Sequence, residues 1–139
     1  GIANAKVAFE RFEERFVSAR FAVLERAGAR LQRPLWASTS TKSPDYPDVY
    51  YVQNLIAPQS VNTLPLNTLA AFRDHGQAEV RIRDGLGEAH RMLEDLGKLG
   101  IDYDQVTREL EEEGVRKFEK SYGDLLATIR KQHARLTAV

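Results

Sequence analysis

Apolar side chains recur at helical spacing from the start of the chain. Val7, Phe9, Phe12, Phe16, Val23 and Leu24 alternate with charged residues such as Glu13, Glu14 and Arg15, which predicts one long helix over 2–27. Gly28 stands where a left-handed helix end is expected. The pattern then changes. Pro34-Leu35-Trp36-Ala37-Ser38 is a short apolar run closed by hydroxyl residues, which predicts a short buried strand. A polar loop with two prolines follows over 39–48, and a short helix is expected over 50–56, stopped before Pro58. Ser60 to Pro65 predicts a second short strand, ended by its proline. Leu66, Leu69, Ala70 and Phe72 mark a helix over 67–73 that stops at Gly76.

Helix, strand, loop, helix, strand, helix is the alternation of βα units in a parallel sheet. Beyond Gly76 the texture differs. Residues 77–87 are charged and include two glycines, so they read as a linker or surface loop. A helix is expected over 88–99, with Met92, Leu93 and Leu96 on one face and Gly100 at its end. Asp104 reads as the N-cap of a last helical region, where Val106, Leu110, Phe118, Tyr122 and Leu126 recur, with Leu125 and Ile129 beside them. The charge run Glu109 to Glu113 is most simply a solvated helix face.

Two short strands cannot form a stable parallel sheet by themselves, because such sheets are covered on both faces. A complete (β/α)8 barrel needs about 250 residues, and this chain has 139. The expected fold is therefore α/β: the C-terminal part of a (β/α)8 TIM barrel, with the last two βα units over 1–76 and closing helices over 77–139. On this reading the barrel in the chain is incomplete. The opening Gly1-Ile2-Ala3-Asn4, helix-like at once and without an initiator Met, fits an expectation that further chain lies upstream.

Composition narrows the chemistry. With no cysteine, a disulfide framework, a thiol nucleophile and thiolate-held zinc are excluded. Twenty Lys and Arg balance twenty Asp and Glu, which argues against a nucleic-acid partner. No apolar run approaches the ~20 residues that span a bilayer, so no membrane partner is expected and a cytoplasmic location is. His75, His90 and His133 are too far apart to suggest a metal site and read as surface residues, and Lys6 reads as an ordinary member of a charged helix.

The most informative stretch is Trp36-Ala37-Ser38-Thr39-Ser40-Thr41-Lys42, which places hydroxyls and an ammonium just past the carboxyl end of a strand. In a parallel barrel that end faces the active site, and late strands often build a phosphate site. Hydroxyls, backbone N–H groups and Lys42 can donate to phosphate oxygens. The same stretch reads equally as a polar turn whose hydroxyls satisfy their own backbone. Asn62 and Thr63 at the end of the second strand could line the same pocket or cap the next helix. No glycine-rich phosphate loop, Ser-His-Asp set or HExxH motif is present.

Several motifs in order resemble the late part of a transaldolase of the longer bacterial type. They are Gly1-Ile2-Ala3-Asn4-Ala5-Lys6, Arg33 to Lys42, Tyr46-Pro47-Asp48, Tyr51-Val52, Val61 to Pro65, Ala71 to Gly76, and Leu99-Gly100-Ile101-Asp102-Tyr103. The resemblance covers essentially the whole chain. It implies a cofactor-free enzyme that moves a dihydroxyacetone unit from a ketose phosphate to an aldose phosphate, through a Schiff base on a lysine. It implies that this lysine and the acid–base carboxylates lie upstream, so no catalytic residue falls in this chain. Ser38 matches the family's phosphate-binding serine. Many members carry an arginine two residues later, where this chain has Ser40, and Lys42 can supply the missing charge. The implied partners are a sugar-phosphate substrate and the N-terminal portion of the same barrel. Rival readings are a non-catalytic packing or assembly module, and a related barrel aldolase with different chemistry.

Overall fold

The computed structural model describes residues 1–137. Eight elements follow in order: helices α1 (Ile2–Phe16) and α2 (Ala19–Arg26), strand β1 (Leu35–Trp36), helix α3 (Tyr50–Asn54), strand β2 (Val61–Asn62), and helices α4 (Leu66–His75), α5 (Leu86–Lys98) and α6 (Tyr103–Thr137). The last two residues of the segment 77–139, Ala138 and Val139, lie outside the described residues. The chain divides into two compact units, Gly1–Glu94 and Asp95–Val139.

The single long helix expected over 2–27 is in fact two. Ser18 ends the first and starts the second: its hydroxyl donates to Arg15 O at 2.7 Å and accepts from Phe21 N at 3.1 Å. With φ −70° and ψ 151°, Ser18 is extended, as an N-cap residue is. Phe16 and Phe21 bridge the break edge to face, with ring centroids 4.7 Å apart. The expected stop at Gly28 is present. Its φ is +95°, and Gly28 N and Ala29 N close on the carbonyls of Glu25 and Leu24 in a Schellman motif.

β1 and β2 pair in parallel, with Leu35 opposite Val61 and Trp36 opposite Asn62. Val61 N donates to Pro34 O and Thr63 N to Trp36 O. The first strand is not the buried element its apolar run suggests. Leu35 is 55% exposed, while Trp36, on the opposite face of the strand, packs against the core. Trp36 turns inward and donates its indole N–H to Leu55 O at 3.0 Å.

The core of the first unit is small. Phe9 of α1, Leu55 at the end of α3 and Ile82 form its centre, with Ile2, Ala5, Phe12, Trp36 and Ala57 packed around them. Ile82 overturns the reading of 77–87 as a mere linker or surface loop. It is 1% exposed, and both Arg81 N and Ile82 N donate to Ile56 O. Ala78, Val80 and Ile82 alternate with charged residues, but Val80 is 57% exposed, and Ile82 is the one that anchors the segment.

Gly76 stops α4 for a reason other than a left-handed turn. Its backbone is extended, and a Cβ there would lie 2.3 Å from the Phe72 ring. Helix α5 ends in a second Schellman motif, with Gly100 at φ +82° and Ile101 N on Leu96 O. The N-cap of α6 is Asp102, not Asp104: Asp102 Oδ1 accepts from Gln105 N at 3.0 Å, which leaves Asp104 inside the first turn. The charge run Glu109 to Glu113 is exposed, as expected of a solvated face. No helix among the described residues is long and apolar enough to cross a membrane.

Candidate functional site

The loop that leaves β1 and the residue that ends β2 meet at the carboxyl end of the strand pair. Thr39, 3% exposed, donates its hydroxyl to Asn62 Oδ1 at 2.8 Å. Thr63 Oγ1 donates to Trp36 O at 3.2 Å. Asn62 and Thr63 therefore brace the strand ends and the first turn of the loop, and neither caps α4, whose N-cap residue is Pro65.

Ser38 bends the chain out of the strand. Its φ is 58°, in the left-handed region that a serine adopts only at a cost. Beyond it lies an open cleft of about 320 Å³ lined by Ser38, Ser40, Thr41, Lys42, Ser43, Tyr46 and Tyr51. Ser38 and Lys42 are exposed, and Ser40 is half-buried. The three residues singled out from sequence, Ser38, Ser40 and Lys42, thus share one cleft. Thr41 contributes an unusual atom. Its Oγ1 is shielded from solvent and has no hydrogen-bond partner among the described residues.

The far end of the loop is held by a histidine. His75, the last residue of α4, places Nε2 2.8 Å from Asp48 Oδ1 and Nδ1 3.1 Å from Asp74 Oδ2. The hydrogen bond to Asp48, then that to Asp74, pushes the imidazole pKa up; the same bond to His75 pulls the Asp48 carboxyl down. His75 is a surface residue, as its sequence context suggests, but not an idle one. His90 makes a comparable contact elsewhere, 2.7 Å from Glu10 Oε2. No group of three or more His, Asp or Glu able to hold a metal occurs among the described residues.

Lys6 departs from the expectation of an ordinary surface lysine. It is 8% exposed, and its ammonium donates to Asp84 O at 2.5 Å, joining α1 to the segment before α5. A second cleft of about 420 Å³ opens beside it, lined by Gly1, Tyr46, Tyr50, Tyr51, Asn54 and Glu88 among others. Arg83 adds a further tie to α1 through Glu13 and lies over the Phe9 ring at 5.8 Å. Sequence reasoning missed the ties of Lys6 to Asp84 and of His75 to Asp48 because the partners lie 78 and 27 residues apart.

A parallel strand pair with hydroxyl groups and an ammonium at its carboxyl end is an α/β arrangement. The particular family follows from comparison with known proteins. The family model described as Transaldolase/Fructose-6-phosphate aldolase matches residues 1–129, and the chain belongs to that family. It is 50% identical over 135 residues to a transaldolase of Frankia alni, which is 96% of this chain and 36% of that protein. A transaldolase of Acidothermus cellulolyticus is 50% identical over 129 residues, and one of Mycolicibacterium smegmatis 49% over 127. The chain spans about a third of the length of these curated relatives, between 34% and 36%.

Proposed function

We propose that the chain is the C-terminal portion of a transaldolase and supplies its phosphate-binding loop. Residues 1–76 provide the last two βα units of a (β/α)8 barrel, and 77–139 its closing helices. The whole enzyme transfers a dihydroxyacetone unit between sugar phosphates, in the cytoplasm, through a Schiff base whose lysine lies outside this chain. The carrying observation is the cleft that joins Ser38, Ser40 and Lys42 at the carboxyl end of a parallel strand pair, in a chain of this family.

In this role Ser38 and Ser40 donate hydroxyl hydrogens to phosphate oxygens, and Lys42 supplies the positive charge that an arginine carries in many relatives. Lys42 sits in the loop after a strand, where it holds the substrate's phosphate end and leaves covalent chemistry to another lysine. Holding the phosphate fixes the sugar's carbonyl relative to that lysine, which is an orientation effect.

The test uses the enzyme in which this chain is completed by the remainder of the barrel. Ser38→Gly keeps the left-handed backbone and removes the hydroxyl; Lys42→Ala removes the charge. Each is expected to raise KM for phosphorylated sugars about tenfold or more, with kcat lowered less. An unchanged KM in both variants refutes the phosphate role. A second reading, a non-catalytic packing module, draws on the apolar side chains exposed along α6, where Phe118 is 82% and Tyr122 64% exposed. Activity on mixing the chain with the remainder of the Frankia alni transaldolase, absent from either part alone, decides against it.

A further inference from the structure

Both ends of the loop that carries the candidate anion ligands are tied to the second βα unit. Near β1 the tie is Thr39 to Asn62, and near α3 it is Asp48 to His75. The second tie is the more telling. A carboxylate lies within hydrogen-bond distance of each ring nitrogen of His75. A neutral imidazole has one N–H and can donate to only one of them; the imidazolium has two and satisfies both. In its protonated form the histidine is a doubly donating cation that joins Asp48 to the end of α4.

That cation does two things for the loop. It limits the freedom of 40–47, so that less ordering is left for the moment of binding. It also neutralises Asp48, two residues from Tyr46 in the cleft wall, and so removes a negative charge that would oppose an anion.

We propose that His75 is a positioning residue for the anion loop, holding Asp48 so that Ser38, Ser40 and Lys42 meet a phosphate monoester in a preorganised cleft. The inference rests on the phosphate reading of that loop, and its test separates the two.

The measurement is steady-state kinetics of the completed enzyme with a phosphorylated and an unphosphorylated acceptor aldose. His75→Gln removes the charge and one donor at a half-exposed site. It is expected to raise KM for the phosphorylated aldose about fivefold, with kcat within about twofold and KM for the unphosphorylated aldose unchanged. His75→Arg keeps cationic donors facing Asp48 and restores most of the loss. His75→Gln combined with Asp48→Asn is expected to be no worse than His75→Gln alone, since both act on one contact.

Equal losses with both aldoses, or a loss of thermal stability alone, overturn the inference by giving His75 a merely structural role. If Ser38→Gly and Lys42→Ala raise KM for the phosphorylated aldose while His75→Gln does not, the loop reading stands and the role of His75 falls. If none of the three moves that KM, the loop reading itself fails, and the positioning role fails with it.

Discussion

His75 shows how much a residue's chemistry depends on partners that its neighbours in sequence do not reveal. Asp74 is adjacent, but Asp48 is 27 positions away, and the Asp48 bond is the larger cause of the raised imidazole pKa. A raised folded pKa gives stability that is fully present below the unfolded value of 6.5 and is lost as pH rises through the folded value. A lowered folded pKa at Asp48 gives stability present above its unfolded value of 3.8 and lost as pH falls through the folded one. The contact is thus strongest between these limits, in weakly acidic solution. In a proton-NMR titration His75 is expected to titrate above 6.5, and Asp48→Asn to lower its pKa. A His75 pKa unmoved by Asp48→Asn would remove this contact as the cause. By contrast the hydroxyls of 38–41 and Lys42 stood out as a candidate cluster from residue type and position, because they sit within five residues of one another, and the family resemblance singled out Ser38.

At the scale of the elements, helix ends were read well where glycine marks them and less well where a polar cap does. Gly28 and Gly100 have positive φ and close Schellman motifs, a conformation few other residues adopt without strain. The break at Ser18 left a weaker sequence signal, since the apolar spacing around it continues and position 21 holds Phe, not the Glu or Gln of a capping box. Ser18→Ala removes an oxygen that accepts from Phe21 N and a hydroxyl that donates to Arg15 O. It is expected to destabilise the first unit by about 1 kcal/mol, within the range of about 0.5–2 for lost N-caps. Urea unfolding followed by circular dichroism measures this, and Ser18→Asp, which restores a capping oxygen, should recover most of the loss. No difference between Ser18→Ala and the parent would show that the cap is dispensable.

For the molecule as a whole, the core of the first unit is modest beside the apolar surface the chain leaves open. Ile82 carries a large share of that core although its segment reads as a charged loop. Ile82→Ala leaves a void between Phe9 and Leu55 and is expected to cost about 2–5 kcal/mol. A fall in the urea midpoint at an unchanged slope would show this, and a loss under about 0.5 kcal/mol would mean that Ile82 lies outside the cooperative core. Open faces elsewhere fit the proposal of an incomplete barrel: Leu35 is 55% exposed and Leu66 84%. Along α6, Phe118, Tyr122, Leu125 and Ile129 are all more than half exposed.

The amino-acid sequence by itself determined the order of elements, the parallel βα alternation, the glycine-ended helices and the place of the hydroxyl loop. Each of these depends on local properties: side-chain periodicity, left-handed glycines, proline stops and residue type beside a strand. The caps at Ser18 and Asp102 are local too, each closed on groups three residues away, but rival polar residues and continuing apolar spacing mask them in sequence. Tertiary structure alone decided that Lys6 and Ile82 are buried. It also brought His75 within hydrogen-bond distance of Asp48. Burial and paired charge arise from groups far apart in the chain, so no window of neighbouring residues contains the information that sets them.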